Sequence, residues 1–163
     1  MLEKSYFKKS IEKKAEEFGL KIESIIEFDP QNVKMDLRSR WKCKFGCEYY
    51  GRASCPPNVP EFDECVRFVR SYKQGLAIIF RFEDYMEDKR RAQKLLLEVE
   101  NELISDFPFA FSVFPGGCDV CEECNGKNCK KLARPSVSAM CIDITSFGVN
   151  WKDGYSVGLI LID

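Results

Sequence analysis

The sequence predicts an α/β or α+β fold, in which helices flank a single central sheet of about four to five strands. Two patterns predict this class: segments with apolar residues at helical spacing, and short runs rich in β-branched residues that come between them. Elements that alternate in this way form layers around one sheet. A chain of 163 residues suits one domain, so we expect residues 1–163 to form a single domain.

The N-terminal part is predicted as a helix followed by two extended segments. Residues 5–18 place apolar side chains at helical spacing, and Gly19 is positioned to end the helix. Residues 22–28 are rich in isoleucine and predict a strand. After a turn, apolar and polar residues alternate over 33–41, which is typical of a half-buried strand.

Two helices and a buried strand form the middle of the predicted fold. The first of these helices covers about 60–72, with Asn58 as its expected N-cap. The run at 76–80 is apolar throughout and predicts a buried strand. The longest helix covers about 85–105, begins after Asp84 as a cap, and has an apolar stripe on one face.

The C-terminal part contains the last two predicted strands, at 109–114 and 156–162, with a short helical turn that starts at Pro135. Two cysteine-rich loops lie between the predicted elements. The first loop covers residues 41–60 and the second covers residues 115–136. We expect both to bind metal.

Charge and hydropathy argue against two classes of function. The 25 basic and 26 acidic residues give a formal net charge of −1, whereas nucleic-acid binding needs a concentrated basic face. The first residues are charged throughout and do not resemble a signal peptide. No run approaches the ~18 apolar residues that span a bilayer. We therefore expect a cytoplasmic protein that binds neither nucleic acid nor a membrane.

Nine cysteines and no histidine are the unusual features of the composition. In a reducing cytoplasm thiols stay reduced, so a disulfide framework is not expected. The absence of histidine removes the commonest catalytic base and the commonest zinc ligand other than cysteine. These cysteines are therefore best interpreted as thiolate ligands of a metal.

The second loop contains the more specific motif, Cys118-x2-Cys121-x2-Cys124-x4-Cys129. Three thiolates at successive intervals of three can each bind a different iron of one 4Fe-4S cluster, and a fourth completes it. Bacterial ferredoxins use a spacing that differs by one residue in the last gap. The alternative is a structural zinc site, but zinc usually takes its thiolates as two separated Cys-x2-Cys pairs.

The first loop contains a less specific motif, Cys43-x3-Cys47-x7-Cys55. Three cysteines this close together in a reduced compartment are more often ligands than core residues. Aromatic residues around them can shield a cluster from water, and shielding helps to set its potential. The alternative is that these aromatic residues extend the core. They are Trp41, Phe45, Tyr49 and Tyr50.

Seven motif cysteines are one fewer than two fully thiolate-ligated 4Fe-4S clusters require. The sequence leaves open whether the chain holds one cluster or two. Cys65 or Cys141 can supply the eighth ligand, although each lies in an apolar setting that favours a buried core thiol. Cys129 can be exchanged between sites, as in two-cluster ferredoxins. The third possibility is an iron without a cysteine ligand, open to substrate, sulfide or water.

Arg52 lies inside the first motif and Arg134 just beyond the second. Each can donate hydrogen bonds to a cluster or to an anionic ligand resting on it. Each can equally form an ordinary ion pair with a neighbouring carboxylate. The sequence leaves both interpretations open.

Together the two motifs resemble a family of uncharacterised, predicted metal-binding proteins of archaea and anaerobic bacteria. The matching pieces are Cys-x3-Cys-x-Tyr-Tyr-Gly and Cys-Pro-Pro within 43–57, Gly-Gly-Cys-x2-Cys-x2-Cys at 116–124, then Cys129, 133–136 and 139–143. The resemblance implies metal binding, iron–sulfur or other, through the seven motif cysteines, and no settled reaction. Cys65 and Cys141 are additional to the family pattern, which more usually has glycine at position 141.

Three functions follow from these motifs. The first is an electron carrier or redox accessory protein that works with a redox partner protein. The second is an enzyme in which an open iron of a 4Fe-4S cluster acts as a Lewis acid or a sulfur carrier. The third is a zinc-stabilised interaction module. The sequence does not decide whether the protein is an enzyme.

Overall fold

The computed structural model describes residues 4–124, 129 and 131–163. Within them lie four strands: Lys21–Phe28 (β1), Gly75–Arg81 (β2), Phe111–Val113 (β3) and Ser156–Leu161 (β4). The same residues contain four α-helices: Lys4–Glu17 (α1), Arg38–Lys44 (α2), Phe62–Arg70 (α3) and Tyr85–Leu103 (α4). None of these helices, including the 19-residue α4, is long and apolar enough to cross a membrane.

The four strands form one antiparallel sheet in the order β1-β2-β4-β3. Alternate residues of β2 face opposite sides of the sheet. Leu76 and Phe80 pack with α1 and α4 on one side, whereas Ala77 and Ile79 pack with α3 and 137–149 on the other. The architecture is α+β, which confirms the predicted class.

Two predicted helix boundaries are confirmed by the capping geometry. The Asp84 carboxylate accepts a hydrogen bond from the N–H of Glu87 at 3.3 Å and caps α4. Gly19 has a φ of +70° after the end of α1, where the N–H of Leu20 donates to the carbonyl of Ala15 at 2.8 Å. A positive φ at this position favours glycine because it has no Cβ.

The prediction that Asn58 caps the next helix is wrong. Helix α3 begins at Phe62, and the amide of Asn58 instead donates to the carbonyls of Gly51 and Arg52 at 2.9 and 3.0 Å. Asn58 therefore closes a turn inside the first cysteine loop.

The prediction of a strand at 33–41 is also wrong over most of its length. Met35 forms a single β-bridge with Ile142, and the chain then turns into α2. The alternating pattern is misleading because Leu37 is 48% exposed. Arginine and lysine, which are abundant in α2, are good helix formers.

The chain around the second cysteine loop differs in detail from its prediction. The strand predicted at 109–114 is shorter, and Phe109 is 82% exposed. The second loop leaves the sheet after Phe114 and returns to it at Ser136, which pairs with Phe114 in a parallel β-bridge. Residues 137–141 then form a hydrogen-bonded turn, two residues after the predicted start of the short helical turn at Pro135.

Candidate metal centre

The three cysteines of the first loop line one cavity of about 570 Å³. Cys43 lies in α2 and is half-buried, Cys47 is exposed, and Cys55 is only 6% exposed. Burial, followed by the thiolate charges of Cys47 and Cys43, raises the pKa of Cys55 to about 11. The fold therefore brings the three thiols of this motif within electrostatic range of one another.

The cysteines of the second loop differ in their solvent exposure. Cys118 is half-buried and packs against the core, Cys121 and Cys124 are exposed, and Cys129 is half-buried. Burial raises the pKa of Cys118, and thiolate charge on Cys124, Cys121 and Cys129 adds to this effect. Residues 125–128 and 130 of the predicted loop lie outside the described residues.

The sulfur of Cys129 is surrounded by backbone donors. The N–H groups of Leu132 and Ala133 hydrogen-bond to it and lower its pKa. Such bonds favour the thiolate, which is the form that binds metal. Hydrogen bonds to ligating sulfurs also contribute to the potential of an iron–sulfur cluster.

A buried polar network joins the two cysteine loops. Asp119 lies between Cys118 and Cys121, and one of its carboxylate oxygens accepts a hydrogen bond from the Tyr49 hydroxyl at 2.6 Å. The same oxygen lies 2.5 Å from the ammonium of Lys89, whose side chain is 1% exposed. Burial acts to lower the pKa of Lys89, but its hydrogen bonds to Asp119 and Tyr49 hold it above its ordinary value.

Further contacts to this network position the start of the second loop. Gln93 of α4 accepts from the N–H of Asp119 and donates to the carbonyl of Gly117, both at 2.8 Å. Gly117 lies against the Tyr49 ring so closely that a Cβ would approach the ring within 2.5 Å. The Cys55 and Cys118 thiols are also close enough for the charge on Cys118 to raise the pKa of Cys55. The two motifs therefore form one continuous surface.

The two arginines predicted near the cysteines have different surroundings. The Arg52 guanidinium stacks over the Tyr49 ring at 3.9 Å and lies 3.5 Å from Asp119, at the rim of the network. Arg134 is largely buried and forms a two-point ion pair with Glu100 at 2.7 and 3.1 Å. It also donates to two carbonyls at the end of the second loop, so Arg134 holds this end of the loop against α4.

Cys65 and Cys141 are both buried, as their apolar surroundings in the sequence predict. The guanidinium of Arg40 lies 3.7 Å from the Cys65 sulfur and donates to the carbonyls of Pro60 and Ala139 at 2.9 and 2.8 Å. Arg40 thus fastens α2 to α3 and to the turn at 137–141. Cys141 has a φ of +60°, the left-handed conformation in which glycine is least strained.

A family model described as "Predicted metal-binding protein (DUF2284)" matches residues 26–157. The chain belongs to this family. The matched range contains all seven motif cysteines and the residues that join the two loops. No curated protein and no solved structure matches the chain significantly.

Membership of a metal-binding family agrees with the abundance of thiols in the two loops, which contain seven of the nine cysteines. In residues 4–124, 129 and 131–163, no three cysteine, aspartate or glutamate side chains are grouped closely enough to hold a single metal ion. A metal ion held by three of these thiols would therefore require their side chains to turn towards a shared centre. The cavity at the first loop, with three cysteines in its wall, gives them room to do so.

The aromatic residues of the first loop do not extend the core as one interpretation predicts. Trp41 and Phe45 are 63% and 68% exposed, and Tyr50 is 39% exposed. Tyr49 is the half-buried member, and its hydroxyl is bonded to Asp119. Its role is to connect the loops.

Sequence reasoning missed Lys89 and Asp119, the two charged members of the connecting network. A signal for Lys89 was present: it precedes Ala92, Leu96, Val99 and Leu103 on the same helical stripe, so it lies on the buried face of α4. A lysine on such a face is almost never buried without a partner. Asp119 gave no comparable signal because a residue inside a cysteine motif is usually exposed.

Proposed function

We propose that this member of the DUF2284 family binds one or two 4Fe-4S clusters through its seven motif cysteines and acts as an electron carrier or redox accessory protein. The observation that supports the proposal best is the cavity lined by Cys43, Cys47 and Cys55, next to Cys118 of the second loop. A cluster bound here supplies one-electron redox chemistry, and the protein contributes thiolates, shielding and charge.

Charge beside the cavity also supports a thiolate-bound cluster. Lys89 and Arg52 bring two positive charges to the junction, whereas Asp119 brings one negative charge. The charge of Arg52 favours the thiolate of Cys55, against the burial that holds the pKa of this thiol above its ordinary value. The backbone donors around Cys129 act in the same direction at the second loop.

A second function is favoured by one specific feature of the first loop. Among the described residues, Cys43, Cys47 and Cys55 are the cysteines in the wall of its cavity, so a fourth thiolate is lacking there. Three-thiolate ligation leaves one iron of a cubane open. That iron can act as a Lewis acid or bind sulfide, which makes an enzyme the alternative to an electron carrier.

Anaerobic purification followed by a redox titration tests these functions. We expect a broad visible absorbance near about 400 nm that bleaches reversibly on one-electron reduction. A spectrum that also changes when cyanide or a small thiol is added favours the open iron. A colourless protein containing zinc and no sulfide would contradict both functions and leave a structural zinc module.

A further inference from the structure

Helix α2 is exposed to an unusual degree for an element that contains a candidate metal ligand. None of its seven residues is buried, and Trp41 and Phe45 project into solvent with their rings stacked 5.6 Å apart. Residues four apart lie on the same side of a helix, so the two rings form one continuous apolar patch. Contiguous exposed apolar surface is typical of a contact site for another macromolecule.

Two exposed lysines, Lys42 and Lys44, are next to the aromatic residues of the patch in sequence, whereas Arg40 donates inward to the carbonyls of Pro60 and Ala139. Residues 38–44 contain four basic residues and no acidic one, in a chain of net charge −1. Arg38 is paired with Asp36, 2.6 Å away. Lys42 and Lys44 are exposed and form no ion pair within the described part of the chain. Their charges are therefore available to a partner.

A groove connects this surface to the thiols of the first loop. Its volume is about 500 Å³, and its wall includes Lys42, Cys43, Cys47 and Trp151, together with Asp36, which pairs with Arg38, and Asp143. Trp151 is itself 63% exposed. A partner seated on α2 therefore lies beside the first cysteine cavity without entering it.

We infer that the exposed face of α2, together with Trp151, is the docking surface for an acidic redox partner protein. The redox role of the partner rests on the proposed function, whereas the docking itself rests on the exposed rings and the unpaired lysines. An acidic surface complements Lys42 and Lys44, and the aromatic side chains supply the apolar centre that interfaces require. Because Cys43 belongs to α2, docking brings the partner close to a cluster at this site.

A single-stranded nucleic acid is the competing occupant, since it also prefers basic and aromatic surfaces. Two features favour the protein. The Trp41 and Phe45 rings stack on each other, so no base can insert between them. One seven-residue helix also offers too few cations for a backbone-tracking groove.

Calorimetric titration of the full chain with a small, acidic plant-type ferredoxin tests the docking surface. We expect binding to weaken about tenfold or more when salt is raised from about 20 mM to about 300 mM. The double variant Lys42→Glu/Lys44→Glu should weaken binding about tenfold, and Trp41→Ser/Phe45→Ser should do the same. These four side chains are exposed, so the variants are expected to fold normally.

Matched controls change the same kinds of residue elsewhere. Lys9→Glu/Lys13→Glu reverses two exposed charges on α1, and Tyr6→Ser/Phe109→Ser removes two exposed rings. Neither should alter the affinity. Equal losses in test and control variants would overturn the proposal, as would failure of the wild-type chain to bind the ferredoxin.

Two further outcomes would assign the surface to another occupant and also overturn the proposal. One is tighter binding of oligothymidylate that is lost in the same two α2 variants. The other is a homodimer, seen by light scattering, that those variants dissociate. Iron counted on the same samples tests the proposed function separately: iron-free protein that still docks retains the surface and loses the redox role.

Discussion

The first cysteine loop, residues 41–60, is held at its middle, whereas the second, residues 115–136, is held near its two ends. Tyr49 and Arg52 attach the first loop to Asp119, so its three cysteines lie on either side of a fixed point. The second loop is fixed at its start by Asp119 and at its end by the pair between Arg134 and Glu100.

The cysteines of the two loops differ in how far the fold itself positions them. Cys43, Cys47 and Cys55 already share one cavity. Cys121 and Cys124 lie at the surface between the two attachments of their loop. We therefore expect the first site to need only the rotation of thiol side chains when metal binds, and the second to need a movement of its loop, since a metal can order its own ligands.

The variant with the largest expected loss of stability removes the buried positive charge that joins the two loops. Lys89→Met should destabilise the metal-free protein by about 3–5 kcal/mol, because Asp119 loses its buried partner. Urea denaturation followed by circular dichroism measures the change. Lys21→Met is the control, since its pair with Glu83 is exposed and should contribute about 1 kcal/mol or less. Equal effects of the two variants would show that the network does not stabilise the loops.

Removing the other attachment of the second loop should have a smaller, more local effect. Arg134→Met should cost about 3 kcal/mol, at the low end for a broken buried pair because the N–H of Ser112 still donates to Glu100. Hydrogen exchange should accelerate over 131–135, while the amide of Asp119 keeps its protection. Faster exchange at Asp119 alone would contradict the separate attachment of the two ends.

The contact between the loops can be tested without changing a charge. Gly117→Ala places a Cβ against the Tyr49 ring, which cannot withdraw easily because its hydroxyl is bonded to Asp119. The cost should be about 1–3 kcal/mol in urea denaturation. Gly46→Ala is the matched control in the first loop, where the new Cβ would meet only a carbonyl at 3.4 Å, and it should change stability by about 0.5 kcal/mol or less. A Gly117 variant as stable as the Gly46 variant would rule out tight packing between the loops.

The smallest expected effect concerns the turn that supports the first loop. Cys141→Gly should be at least as stable as Cys141→Ala, because only glycine relieves the positive φ, and both should lie within about 1–2 kcal/mol of the wild type. At Cys65, inside α3, the order should reverse, with alanine about 1 kcal/mol more stable than glycine. Thermal unfolding of the four variants provides the comparison. If the alanine variant is more stable than the glycine variant at both positions, the strain inferred at Cys141 is contradicted.

Much of the fold could be predicted from the sequence because its signals are local. Asp84 and Gly19 mark the ends of their helices, and the apolar run at 76–80 marks the central strand. The alternation over 33–41 misled because only its start faces the core: Val33 and Met35 pack there, whereas Leu37 is exposed and the chain then forms α2. Periodicity reports burial only where a segment packs against something.

For the candidate site, the sequence predicts only what the spacing of the cysteines within each loop can show. The spacing predicts which thiols act together, but the proximity of the two loops depends on partners distant in sequence. Tyr49 and Asp119 are 70 positions apart, and Lys89 comes from a third element. The positive φ of Cys141 likewise gives no signal in the sequence, because cysteine is not a residue that this conformation favours.

The proposal that the motif cysteines bind iron–sulfur clusters is tested by counting iron and acid-labile sulfide per chain in a set of anaerobically purified cysteine variants. We expect equal iron and sulfide in the wild type, at about four of each per cluster. Cys47→Ser and Cys121→Ser should each lower both counts, whereas Cys65→Ala should leave them unchanged. Zinc without sulfide in the wild type would contradict the proposal. A loss of iron and sulfide in Cys65→Ala as large as in Cys121→Ser would also contradict it.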